Sequence, residues 1–297
     1  MSKKKEKGKV RDQFGFCRLT GKPGRFVKSH IIPQALTIGA EGGQPLFQYG
    51  DAGGRSRKWS SWYDQSLVTR DGEDILAALD TWAIAALRSQ RLVWSGWGED
   101  VTLKRELHEE VSGAFGVRTV HLDTERLRLF LLSLLWRAAA SRMREFEEIQ
   151  IPKAHMEVLR LTLLGGVSPD LDFYPAQLTQ VSTLGHLHNH TPIRTFKFIP
   201  DLQGEDGEGV NVPFFRFYFD GLIVHFAVPG SDFPAVSELG NLIVGASSAV
   251  VLSTITYEAS LQKRNFEEIV LGSIGEASEV DGLSAEGRAG SSSSVQA

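Results

Sequence analysis

The chain has 297 residues, 42% of them hydrophobic and 23% charged, and a formal net charge of -4. These values are ordinary for a globular protein and exclude a global basic field as the means of holding nucleic acid, so any such partner must be met by local charge. A single cysteine excludes an intramolecular disulfide and suits a reducing cytoplasm, and the longest apolar run, 129–136, is interrupted by Ser133 and far too short to span a bilayer.

Residues 1–11 set Lys3, Lys4, Lys5, Lys7, Lys9 and Arg11 against one acid, Glu6. This is a flexible basic arm, either in contact with phosphates or simply solvated, and with no apolar stretch behind it the start does not read as a signal peptide. Residues 13–36 read as a knuckle and a short hairpin. Residues 37–61 form a Gly-rich loop ending in Arg55-Ser56-Arg57-Lys58-Trp59. Cations interleaved with aromatics hold phosphates and stack bases, which makes Arg55, Arg57, Lys58 and Trp59 candidate nucleic-acid contacts. The other reading is a mobile surface loop whose tryptophans fold back onto the domain.

Three–four spacing of Ile75, Leu76, Leu79, Trp82, Ala83, Ala86 and Leu87 predicts a helix over 73–90. A more polar helix is expected over 102–112. Asp123 or Thr124 caps a long helix reaching Phe146, apolar nearly all round between Phe130 and Ala140 and therefore buried on most sides. Arg126, Arg128, Arg137, Arg142 and Arg144 are read as its solvated and interface edges. Pro152 opens a further helix that stops at Gly165-Gly166. Residues 196–199 are expected to be extended. Asp220-Gly221 between two apolar runs is a hairpin turn, and 241–257 supplies one or two more strands. From 275 the chain is Gly, Ser, Ala and Glu, the composition of a disordered tail.

The most specific stretch is 17–33, in which Cys17 precedes a short loop and the element Ser29-His30-Ile31-Ile32-Pro33. It resembles the first half of the ββα-metal core of the HNH nucleases. The resemblance continues through Asp64-Gln65-Ser66-Leu67-Val68-Thr69-Arg70-Asp71-Gly72-Glu73, where a divergent bacterial branch has a second cysteine pair leading into a helix. It implies that His30 is the general base that deprotonates a water attacking a phosphodiester. Asp64 stands where the family has its asparagine and would orient His30 or add a carboxylate. Glu73 stands where the last metal-binding histidine falls, and Ser29 takes the place of a metal-binding Asp or His. Mg²⁺ or Mn²⁺ would be the cation. Of the four zinc-knuckle positions only Cys17 keeps its ligand; Thr20, Thr69 and Gly72 replace the others, so no structural zinc is expected. Packing by Trp59, Trp62, Tyr63, Phe14 and Phe16 would then hold the small domain.

A second cluster, His186-Leu187-His188-Asn189-His190, would turn three imidazoles to one face of a strand and bind metal, but a polar loop before Pro192 is the simpler reading. No phosphate-binding loop or nucleophile elbow is present in the sequence.

The expected fold is α+β: an arm over 1–11, an HNH-like ββα module over 12–90, an accessory region over 91–274 with a helical middle and a C-terminal antiparallel β section, and a tail over 275–297. The resemblance implies a cytoplasmic, metal-dependent endonuclease acting on DNA, of bacterial or phage origin, in phage defence or mobile-element biology. The alternative is a catalytically silent, zinc-free relative that binds nucleic acid or a protein partner through the C-terminal region. No membrane is involved in either.

Overall fold

The computed structural model describes residues 13–37, 46–49, 56–58, 61–200 and 209–267. The basic arm, the C-terminal tail, Arg55 and Trp59 lie outside these residues. Six short strands open the chain, as its Gly and Pro punctuation dictates. β1 (Phe14–Phe16) and β2 (Pro23–Arg25) form a hairpin, and β3 (Ser29–His30) pairs antiparallel with β6 (Tyr63–Asp64). The Gly-rich segment between β3 and β6 is not all loop. It contains β4 (Leu46–Tyr49) and β5 (Ser56–Lys58), which pair with each other. β4 also pairs in parallel with β10 (Asn189–His190), so the segment reaches the second half of the chain.

Helix α1 (Arg70–Ser89) starts one turn earlier than its periodicity suggests, and buries Leu76, Ala83 and Leu87. The expected helix over 102–112 does not form. A single 3-10 turn, Arg105–Leu107, leads into β7 (Glu109–Ser112), fully exposed along its length. With no apolar face to bury, that segment settles as an edge strand whose backbone pairs with β8 (Phe115–His121). α2 (Thr124–Ala140) is capped by Asp123, which accepts from the Arg126 amide at 2.9 Å, and is buried on nearly every side. It stops at Ala140, short of Phe146, because Ser141 turns extended and bonds Asp64. α3 (Lys153–Gly165) ends as expected at a left-handed Gly166.

The remaining strands are β9 (Ala176–Val181), β11 (Ile193–Pro200), β12 (Gly209–Phe219), β13 (Leu222–Ala227) and β14 (Ala249–Ile255). β12 and β13 meet at the Asp220-Gly221 turn. From 241 to 257 there is one strand, preceded by a 3-10 turn at Gly240–Leu242. Together with β7 and β8 they build a seven-stranded sheet, ordered β11-β12-β13-β9-β14-β8-β7. It is mixed rather than antiparallel, since β14 and β9 run parallel. The class is α+β.

One sheet face, with Leu178, Phe217, Val224, Phe226 and Leu252, packs on Phe130, Leu131 and Leu134 of α2 and on Leu159 of α3. The same core runs without a break to Leu19, Ile31, Ile32, Trp62 and Val68 of the N-terminal strands. Each such side chain contributes about 1.5–3 kcal/mol on burial. Of the aromatics expected to replace zinc by packing, Trp62 is buried, whereas Phe14 and Phe16 are 74% and 71% exposed and Tyr63 is exposed at the surface. Trp59 lies outside the described residues. The work is done by the aliphatic core and Trp62.

Candidate active site

β3, β6 and the first turn of α1 meet at the edge of this core. Ser29 lies opposite Asp64 and His30 opposite Tyr63 in the β3–β6 ladder, and Ile31 and Ile32 anchor the strand from below. The His30 ring meets Tyr63 edge-on at 6.1 Å, and the Lys28 ammonium lies 4.0 Å over the Tyr63 ring. Glu73 is half-buried in the first turn of α1, where the helix N-terminus favours a negative charge.

Three polar atoms here are buried without a hydrogen-bond partner among the described residues: Ser29 Oγ, His30 Nε2 and Glu73 Oε2. Burial of that kind is costly unless something satisfies the group. It pushes the Glu73 carboxyl above its usual range, and Asp80 adds to the rise. The Ser29 hydroxyl lies toward the carboxylate and opposes it, as does Arg137, without Ser29 reaching hydrogen-bond geometry. Burial, reinforced by Lys28 and Arg137, holds His30 below the ordinary imidazole value. A neutral ring with a free nitrogen is the form a general base requires.

Asp64 has other work. Its Oδ1 accepts from the Ser66 amide and hydroxyl, both at 2.7 Å, and its Oδ2 from the Ser141 hydroxyl at 3.1 Å. Burial would raise its pKa, but these bonds and one from the Arg142 amide bring it below the usual range. Its described side-chain bonds therefore pin the end of α2 and do not reach His30. The residue that does bind the His30 peptide is Arg137, one of the arginines expected at the solvated and interface edges of α2. It is 1% exposed, donates to the His30 carbonyl at 3.0 Å and forms an ion pair with Asp80 of α1. Arg128 is likewise buried and donates to the carbonyls of Asp170 and Phe173. The sequence held a clue to Arg137: between Phe130 and Ala140 the helix is apolar nearly all round and leaves no solvated side on which that cation could rest.

The four knuckle positions come together around the start of α1, where Gly72 directly precedes Glu73. The Thr20 amide lies 3.4 Å from Cys17 Sγ, and a Cβ on Gly72 would stand 2.7 Å from that sulfur. Burial would raise the thiol, but hydrogen bonds from Thr20 and Thr69 bring it below its ordinary value. One thiol with two threonines and a glycine does not fit zinc. Arg18 bonds the Ala140 carbonyl and Arg160 the Leu19 carbonyl, at 2.9 Å for the latter, so α2 and α3 clamp the turn that metal would otherwise brace.

Around His30 the donors are one carboxylate, one hydroxyl and one imidazole. They fit a hard cation that keeps most of its shell as water. Among the described residues no group of three or more His, Cys, Asp or Glu side chains is arranged to hold a metal. His186, His188 and His190 are not brought together as ligands: His188 bonds the His186 carbonyl at 2.9 Å and Gln262 at 3.2 Å, and His190 faces the Thr191 carbonyl at 2.7 Å. Arg57 and Lys58 lie on β5, with their side chains outside the described residues. No helix among the described residues is long and apolar enough to cross a membrane. Comparison with protein-family models, with curated proteins and with solved structures gave no match in any of the three.

Proposed function

We propose that this chain is an HNH-like, metal-dependent endonuclease that hydrolyses phosphodiester bonds in DNA. The observation that carries the reading is the trio of buried, unpartnered polar atoms on Ser29, His30 and Glu73. His30 accepts a proton from the attacking water at Nε2. Arg137 positions it by holding its carbonyl, and Tyr63 packs against its ring. Glu73, with Ser29 beside it, would hold Mg²⁺ or Mn²⁺; when bound, such an ion supplies positive charge to a non-bridging phosphate oxygen and to the leaving oxygen. Lys28, exposed beside His30, offers a contact for an adjacent phosphate. The convergence of Cys17, Thr20, Thr69 and Gly72 supports the same reading, since these are the positions to which the resemblance assigns the lost knuckle. DNA as the substrate and a role in defence against phage rest on that resemblance alone.

One observation favours a second reading. The bonds described for Asp64 do not reach His30, and the cation would rest on one carboxylate, which fits a silent relative that binds nucleic acid or a protein. Thermal unfolding in Mg²⁺ or Mn²⁺ separates the two. The enzyme reading expects the ion to raise the melting temperature of the native chain and not of Glu73→Ala. If neither ion moves either protein, or both rise equally, the silent reading stands.

A further inference from the structure

The second face of the sheet carries buried cations that the His30 site does not use. Along β12, Phe214, Arg216 and Tyr218 turn away from the helices. The register puts Arg216 opposite His225 on β13, and Lys197 of the edge strand β11 opposite Val212. Arg216 is 5% exposed and His225 7%, whereas Lys197 is only half-buried, on the open side of the sheet. The Phe214 ring links them: Lys197 Nζ lies 5.1 Å over it, and the His225 ring meets it edge-on at 5.9 Å.

None of the three forms an ion pair with a carboxylate among the described residues. Arg216 Nε and His225 Nδ1 have no hydrogen-bond partner there. Of the other buried arginines, Arg137 pairs with Asp80, Arg118 donates to Gln180, and Arg128 donates through one nitrogen to loop carbonyls while its Nε and Nη1 stay unfilled among the described residues. Burial and the Arg216 charge bring the Lys197 ammonium down to about 8, and burial brings Arg216 down to about 10. His225 is held neutral, by burial first and then by Lys197 and Arg216. Two repelling cations and two unfilled nitrogens on one face are costly unless an anion answers them.

We propose that Arg216, Lys197 and His225 form a binding site for a phosphate-type oxyanion entered past Lys197 at the β11 edge. The planar guanidinium matches two oxygens at once, and Lys197 adds a point charge. Two formal positive charges suit a phosphate better than a single carboxylate. The phosphate belongs either to a small free compound or to a nucleic-acid backbone. The site does not depend on the nuclease reading.

The test is thermal unfolding of the full chain at fixed ionic strength, titrated with inorganic phosphate and, separately, with a short DNA duplex, with acetate as control. The melting temperature is expected to climb with phosphate or duplex and not with acetate. Arg216→Met should melt higher than the native chain without anion and lose the climb. Lys197→Met, on the half-open side, should weaken binding at least about tenfold and carries the test if Arg216→Met does not fold. A climb with inorganic phosphate assigns the free compound. A climb with duplex alone, lost in Lys197→Met, assigns the backbone. No climb with either, an equal climb with acetate, or a climb unchanged in the variants overturns the proposal.

Discussion

Two neighbouring clusters share the start of α1, a filled end at the knuckle and an open end at His30, and they differ in how their polar groups are satisfied. At the knuckle the Cys17 sulfur is hydrogen-bonded by threonines, Gly72 packs against it, and two arginines tie the turn to α2 and α3. At the other end, Ser29, His30 and Glu73 each bury an atom that nothing described satisfies. Both ends lie on the same core, so the contrast is not one of general packing quality. At the knuckle, packing and hydrogen bonds fill the space around the Cys17 thiol. At Ser29, His30 and Glu73 packing leaves three buried atoms without a partner among the described residues, a cost that the proposed catalytic site would account for.

The largest way to break the open end is through Arg137. Arg137→Met removes the partner of Asp80 and the donor to the His30 carbonyl, and should cost about 3–5 kcal/mol in denaturant unfolding. A cost near zero would mean that the strand carrying His30 is held by its ladder alone. Asp220 sharpens the contrast, since it is a buried acid of the filled kind. Its two oxygens accept from the Ser95 amide at 3.1 and 3.2 Å, yet burial still pushes its pKa up to about 6. Its folded pKa lies above its unfolded value, so the folded state binds more protons between them. Stability therefore falls as pH rises through about 4 to 6, and the cost is fully present above that. Asp220→Asn keeps an acceptor and should stabilise by up to about 3 kcal/mol at pH 8, with no gain near pH 3. An equal gain at both pH values would assign the effect to something other than the charge.

The filled end answers to a smaller change. A methyl on Gly72 would stand 2.7 Å from Cys17 Sγ and 3.1 Å from the Val68 Cβ. Gly72→Ala should cost about 1–3 kcal/mol, and Cys17→Ala in the same chain should recover part of it, because the two share one space. Additive losses would show that the sulfur and Gly72 are not packed as one unit.

The sequence made some of this legible. α1, α3 and the Asp220-Gly221 hairpin could be read because period, proline and glycine act locally. Cys17, Thr20, Thr69 and Gly72 could be named together because their spacing resembles a knuckle. What failed depends mostly on partners distant in sequence, and for Asp64 on a near neighbour as well. Arg137 carries a charge that looks solvated until α1 and β3 close around it. Asp64 seemed free to serve His30, but its acceptors are claimed by Ser66, two residues on, and by Ser141, 77 residues on. β4 and β5 sit in a glycine-rich segment and form because β10 supplies a ladder partner. The polar stretch 109–112 became a strand because β8 offered an edge, a fact no local propensity contains.

The most direct test of the central claim is DNA cleavage. Plasmid and linear duplex are incubated with the native chain and with His30→Ala, in Mg²⁺ or Mn²⁺, after unfolding curves show that both proteins are folded. The account predicts metal-dependent cutting by the native chain and a loss of at least about a hundredfold in the variant. Equal cutting by both proteins, or none by either, would contradict it and leave the buried trio without a catalytic role.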